Sequence, residues 1–426
     1  MADYIEHDHT EDGLDRRGFL KCMAWAGTGL VWSVSGGVPK AFALSSLGDL
    51  KRSEQASLFF AQISDSHIGF NKAANADVTA TLRAAVDRLN ALPQRPAFVL
   101  HTGDITQLSR ADEFDTADQV LRGVKAERVF YVPGEHDVLT DNGAQYLQRY
   151  GRGATGGGWY SFDHSGVHFG GLVNVLNLKA GGLGALGQEQ IDWLRRDLSG
   201  LSTSTPIVVF AHIPLWTVYP QWGWGTDDSE QALGLLKRFG SVTVLNGHIH
   251  QVMQKVEGNV AFHTALSTAF PQPAPGTAPS PGPMTVDAGA LRNYLGVRHV
   301  TYVEGRGMLA TVDQTLSGLP IGDFANAHGM AADTAPRKAL PHLKPNEIGI
   351  DNFAFIPRVL TVSRGTTVTW INSDDVPHVI VSPDHKFTGS KIVDTNQRYS
   401  VTFDKPGTYD YFCGIHPIMT GQVVVR

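Results

Sequence analysis

A chain of 426 residues, 42% hydrophobic and 18% charged, is long enough for two domains with cores of their own, and its composition excludes a disordered protein. A net charge of −6 without a long basic run argues against nucleic acid as the main partner. The 46 glycines and 22 prolines suit a loop-rich, β-containing protein better than a helical bundle.

At the amino terminus, "LDRRGFLK" sets Arg16 and Arg17 before a glycine-rich apolar stretch, Cys22 to Val38, and "AFA" (Ala41 to Ala43) fits a small-residue cleavage site. Residues 1–43 resemble a twin-arginine signal peptide, which implies a bacterial protein exported to the periplasm or beyond. The alternative is a membrane helix, and membrane contact is expected only if the signal stays uncleaved; the stretch is short and interrupted by Gly27, Gly29, Gly36 and Gly37. Cleavage would leave Cys413 as the only cysteine, so no internal disulfide could form and that thiol needs another explanation.

From Ser57 short apolar runs alternate with helical patterns. "LFFAQIS", "PAFVLHTGD", "VFYVPGEHD", "TPIVVFAHIP" and "SVTVLNGHIH" read as strands, while "ADVTATLRAAVDRLNAL" and "GQEQIDWLRRDLSGL" read as amphipathic helices. That order predicts a layered α/β domain over residues 57–316. The proline-rich Pro271–Pro283 is expected to be a loop and 317–345 a linker. From 346 to 426, strands with regular turn signals ("VLTVSRGTTVTWINSDD", "YSVTFDKPGTYDYF") predict a small all-β sandwich.

Residue types that bind metals sit at the ends of those front strands: Asp65 and His67 in "SDSH", Asp104 in "TGD", Glu135 and His136 in "GEHD", His212 in "AHIP", His248 and His250 in "GHIH". Ligands in open α/β sheets lie beyond the carboxyl ends of strands, so these side chains should converge. The order D-x-H, G-D, G-x-H-D, H, G-H-x-H resembles the calcineurin-like metallophosphoesterases over about Leu58 to Gln314. The resemblance implies a layered β-sandwich flanked by helices and two metals (Fe, Mn or Zn). Asp65, His67 and His250 would hold one, Glu135, His212 and His248 the other, and Asp104 would bridge them. A metal pair roughly 3.5–4 Å apart makes a hydroxide available near neutral pH for in-line attack on phosphorus. On the same resemblance His136 is the acid that protonates the leaving alkoxide, with Asp137 orienting its imidazole.

One letter departs from the family pattern: Glu135 stands where the family has asparagine. An anionic oxygen on a longer stem still binds a hard metal, but lowers its Lewis acidity and favours a more highly charged ion such as ferric iron. The alternatives are a retuned hydrolase and a site that has lost catalysis. The aromatic run "LWTVYPQWGWG" (Leu215 to Gly225) either lines a substrate mouth or packs as a surface loop. His101 is expected behind the ligands rather than among them.

"YFCGIHPIM" spaces Cys413, His416 and Met419 as C-x2-H-x2-M, and "DDVPHVIV" adds His378 at a strand start. One thiolate, two imidazoles and a weak axial thioether make a type 1 copper ligand set. Residues 346–426 resemble the cupredoxins, in particular the amicyanin and plastocyanin-like group, which implies one copper, redox cycling and a redox partner protein. The reading of the whole chain is an exported binuclear-metal hydrolase of small phosphomonoesters or phosphodiesters fused to a type 1 copper domain. The rival is a copper electron carrier whose front domain is an inactive or docking scaffold.

Overall fold

The computed structural model describes residues 56–304, 309–318 and 342–426, together with the backbone of two short strands, β1 (Leu30–Ser35) and β2 (Val38–Ala43), which pair antiparallel. Arg16, Arg17, Cys22 and most of the 317–345 linker lie outside the described residues. Among the described residues no helix is long and apolar enough to cross a membrane.

The front domain begins with β3 (Leu58–Ile63), α1 (Val78–Asn90), β4 (Phe98–His101), α2 (Ala111–Leu121), β5 (Arg128–Tyr131) and α3 (Ala144–Tyr150). It continues through β6 (Tyr160–His164), β7 (Val167–Gly171), α4 (Gln188–Leu198), β8 (Ile207–Phe210), α5 (Ser229–Leu236) and β9 (Val242–Asn246). Four strands close it: β10 (Gln254–Glu257), β11 (Val260–Thr264), β12 (Gly296–Tyr302) and β13 (Ala310–Thr315).

These strands form two sheets, ordered β13-β12-β3-β4-β5 and β10-β11-β9-β8-β7-β6. Each sheet contains a run of parallel strands, β3, β4 and β5 in one and β7, β8, β9 and β11 in the other. Their apolar runs follow from burial on both faces. Phe60, Phe98, Phe169, Phe210 and Leu245 interlock between the sheets, while helices cover the outer faces. Helix α1 shows how the pattern becomes structure. The Asp77 carboxylate caps it by accepting from the Ala80 N–H at 2.9 Å, and Val78, Leu82, Ala85, Val86 and Leu89 form its buried stripe. Two outer helical layers around two inner sheets bring all the parallel strands' carboxyl ends to one rim.

The second domain comprises β14 (Glu347–Asp351), β15 (Ala354–Ile356), β16 (Val359–Val362), β17 (Thr366–Asn372), β18 (Ile380–Val381), β19 (Arg398–Phe403), β20 (Gly407–Cys413) and β21 (Thr420–Val425). Two four-stranded sheets, β15-β14-β17-β19 and β16-β21-β20-β18, pack face to face around Trp370 and Tyr411, whose rings meet edge to face at 5.2 Å. The α/β domain followed by a β-sandwich is the architecture expected from the strand spacing. The two domains touch. Leu139 of the front domain packs on the sandwich core, and the Gly181 N–H donates to the Pro417 carbonyl at 2.6 Å.

Candidate metal centres

The rim formed by the parallel strands carries the first centre. Asp65 and His67 follow β3, Asp104 follows β4, Glu135 follows β5, His212 follows β8, and His248 and His250 follow β9. Five of these seven residues have positive φ: Asp65 (54°), His67 (41°), Asp104 (51°), His248 (70°) and His250 (52°). Non-glycine residues rarely adopt that region, so the strand ends are bent sharply to turn these side chains inward. Two glycines make room. A Cβ on Gly134 would sit 2.0 Å from the Asp104 carboxylate, and one on Gly247 would sit 2.0 Å from the Ser64 hydroxyl.

The seven side chains fall into overlapping sets. Asp65, His67 and His250 offer ligand atoms within 4.8 Å of one another, as do Glu135, His212 and His248, and as do Asp65, Asp104 and His212. Asp104 lies between the first two sets, with Oδ2 at 3.5 Å from His67 Nε2 and 3.3 Å from His212 Nε2. Its other oxygen accepts the His136 backbone N–H at 3.0 Å, tying two ligand loops together.

Three imidazoles are locked from behind. His212 Nδ1–H donates to the Thr102 carbonyl (2.7 Å) and His250 Nδ1–H to the Phe270 carbonyl (2.6 Å), while His67 Nδ1 meets the Gln107 Oε1 (2.9 Å). Each Nε2 then turns its lone pair into the site, the arrangement of metal-ligating histidines. The front ends meet other acceptors: His67 Nε2 lies 3.3 Å from His250 Nε2, and His212 Nε2 lies 3.1 Å from Glu135 Oε2, both atoms of the latter pair being buried without a hydrogen-bond partner. Converging lone pairs with no donor between them call for a cation, so the donor set fits two hard or borderline metals.

The electrostatics agree. Burial raises the Asp65 carboxyl, but His250, His212 and His67 outweigh it and hold that group well below the usual carboxylate range. Burial also pulls the His67 imidazole down to about 3, leaving it neutral and able to donate a lone pair. His212 goes the other way: burial opposes its proton, yet Asp104 and Glu135 together raise its pKa well above the ordinary value. The same two carboxylates that favour positive charge there would favour a cation.

His136 and Asp137 follow on the same loop, but Asp137 does not orient the His136 ring as the resemblance implied. Its carboxylate accepts the backbone N–H groups of Gly134, Ile105 and Thr106 and the Thr106 hydroxyl at 2.8–3.1 Å, pinning the β4 loop to the β5 loop. An oxygen engaged by so many local donors has no free lobe for the imidazole. The group that orients His136 is the Gln107 carbonyl, which accepts from Nδ1–H at 2.8 Å. Gln107 therefore serves both His67 and His136, a role no spacing motif announces. Burial disfavours the charged His136, but Asp104 and Glu135 outweigh it and raise its pKa. His101 stands behind the ligands, its Nε2 at 2.8 Å from the Ser66 hydroxyl.

The second centre lies at the end of β20. Cys413 Sγ is 3.5 Å from His378 Nδ1 and 3.7 Å from His416 Nδ1, and the two Nδ1 atoms are 3.4 Å apart. Met419 is buried in the same core and returns to the loop, its carbonyl accepting the Cys413 N–H at 3.0 Å. Asp374, which the motif reading did not single out, takes the far nitrogen of His378 at 2.9 Å and so turns Nδ1 toward the sulfur. Burial works against a thiolate, yet the two histidines lower the Cys413 pKa well below its ordinary value. A soft sulfur and two imidazole nitrogens converging in a buried pocket fit copper.

The two centres adjoin. The His136 and His416 rings lie edge to face, 6.3 Å between centres. A cavity of about 40 Å³ lies over the first centre; Trp222 and Trp224 line it from the aromatic loop, Pro281 and Pro283 from the proline-rich loop, and Phe353, Val376 and His416 from the sandwich domain. The aromatic run thus lines the site rather than serving only as surface packing.

Residues 60–252 match the family described as calcineurin-like phosphoesterase, and residues 329–425 match the cupredoxin-like domain. The carboxyl-terminal domain is similar to amicyanin of Paracoccus versutus, 34% identical over 84 residues, which cover 18% of this chain and 63% of that protein. Amicyanin-alpha of Methylorubrum extorquens is 37% identical over 84 residues, covering 19% of this chain and 71% of its own. Plastocyanin of Scenedesmus fuscus is 32% identical over 94 residues, covering 19% of this chain and 96% of its own.

Proposed function

Because the chain carries a calcineurin-like phosphoesterase domain and belongs through its carboxyl-terminal domain to the cupredoxins, we propose that it is a two-metal phosphoester hydrolase built against a type 1 copper site. The observation that carries the reading is the convergence of seven ligand-type side chains, three of them imidazoles locked from behind, around one shared carboxylate.

Asp65, His67 and His250 would hold one cation, Glu135, His212 and His248 the other, with Asp104 common to both. When bound, such a pair lowers the pKa of a shared water and polarises the phosphoryl oxygens. The chain's own residues supply the rest. His136, held by the Gln107 carbonyl, presents Nε2 toward the cavity and donates its proton to the leaving oxygen. Asp137 holds the loops that carry Asp104 and Glu135 in register, and Trp222 and Trp224 limit water around the reacting group. His378, Cys413, His416 and Met419 would hold copper, which serves one-electron chemistry when bound. Export through the twin-arginine route and supply of electrons by a separate redox protein belong to the same proposal.

Glu135 is retained in a working site on this reading. Its carboxylate spans His212 and His248 at 3.1 and 3.0 Å, and those imidazoles hold its pKa well below the usual range despite burial. Glu135→Asn removes one negative charge from the ligand set and should move the rising limb of the pH–rate profile to lower pH by about one unit. Steady-state hydrolysis of a nitrophenyl phosphoester across pH, with Mn, Zn or Fe supplied, reads this directly. Wild type inert with every metal, beside an active Glu135→Asn, would establish a site that has lost its chemistry.

A further inference from the structure

The cavity over the ligands is small. About 40 Å³ accommodates a few waters. A second space lies beside it, a groove of about 350 Å³ between the two domains that also touches Glu135. Glu135 is the one residue that lines both.

Aliphatic side chains flank the groove on both sides, beside polar lining of comparable extent. Val138, Leu139, Leu176 and Leu178 face it from the front domain, Val379 and Val381 from the sandwich, and all six are only partly buried. Two facing rows of half-covered aliphatic side chains gain when an apolar group displaces the water between them. Among the described residues no lysine or arginine lines the groove, so no cationic side chain there favours a second phosphate. Its volume is within the range of small-molecule sites.

We propose that this groove seats the alcohol portion of the substrate, and that the substrates are phosphoesters of apolar alcohols, alkyl or aryl, with the phosphoryl end at Glu135 and the tail between the domains. The proposal rests on the hydrolase reading for the placement of the phosphoryl group. It also gives the carboxyl-terminal domain a second role, as one wall of the substrate site.

Non-hydrolysable alkylphosphonates separate the proposal from turnover. Calorimetric titration of the full-length, metal-loaded protein with methyl-, butyl- and hexylphosphonate should show affinity rising with chain length, up to about fourfold per methylene. Leu176→Asp on one wall and Val381→Asp on the other should each flatten that rise, with circular dichroism and thermal unfolding showing that the variants fold. Equal affinity across the series, a rise that survives both substitutions, or no binding of any phosphonate would overturn the proposal. Chain-length-dependent binding without hydrolysis of the matching phosphoesters would keep the groove and remove the hydrolase. Hydrolysis without chain-length dependence would do the reverse.

Discussion

Asp104→Ala should yield a chain whose front domain holds at most one first-row cation and whose turnover of phosphoesters falls by more than about 100-fold. Outer partners of a metal site commonly cost 10- to 100-fold when removed, and a carboxylate shared by two ligand sets must exceed that. The geometry gives the reason. Asp104 Oδ2 stands 3.3–3.5 Å from ligand nitrogens of both sets, while Oδ1 takes the His136 N–H. Removing it therefore unlinks the two metal positions and loosens the loop that carries Glu135 and the proton donor. Metal content per chain and kcat are the paired measurements. Two cations retained with little loss of rate would mean that Asp104 is not shared.

His136→Ala should lower kcat by about 10²–10⁴-fold on an alkyl phosphoester, the usual contribution of a general acid. A nitrophenyl ester, whose leaving group departs without a proton, should suffer far less. The acid must be protonated to act, so the wild-type rate is lost as pH rises through the pKa of His136, and that descending limb should vanish in the variant. Asp104 and Glu135 favour the charged imidazole against the cost of burial, which extends the active range upward. Equal losses on both esters, with the descending limb intact, would assign His136 to positioning. Its contact with His416 would then be the more informative feature of the ring.

Much of this was legible in the chain because local chemistry and the fold point the same way. Apolar runs such as "LFFAQI" and "IVVF" are strands buried on both faces, and five of the parallel strands, β3, β4, β5, β8 and β9, end in turns that place a carboxylate or imidazole on the common rim. The C-x2-H-x2-M loop is a single turn, so spacing alone brings Cys413 and His416 together. What escaped is carried by contacts that spacing does not encode. Asp137 looks like a partner for the neighbouring imidazole, but backbone donors of the β4 loop, which no motif includes, engage it first. Gln107 acts once through its side chain and once through its carbonyl, and a carbonyl carries no residue signature. The domain interface was invisible for another reason. Strand periodicity reports that Phe353, Val376, Val379 and Val381 belong to a sandwich, but not which surface faces another domain.

That interface changes how the cupredoxin domain bears on the front domain. A sandwich appended by a free linker would leave the two metal sites independent. Here His416, beside Cys413 and His378, lines the cavity over the first centre, and the sandwich's partly buried Val379 and Val381 line the groove that also touches Glu135. On the proposed reading, substrate selection and copper occupancy would meet in the same few residues.

The most direct test is the metal content of the full-length protein isolated from its native compartment, measured by elemental analysis beside its visible spectrum. The account predicts about two equivalents of Fe, Mn or Zn and one of copper per chain, with a blue thiolate–copper band. Copper alone, or a single hydrolytic metal that stays single when excess is supplied, would contradict it.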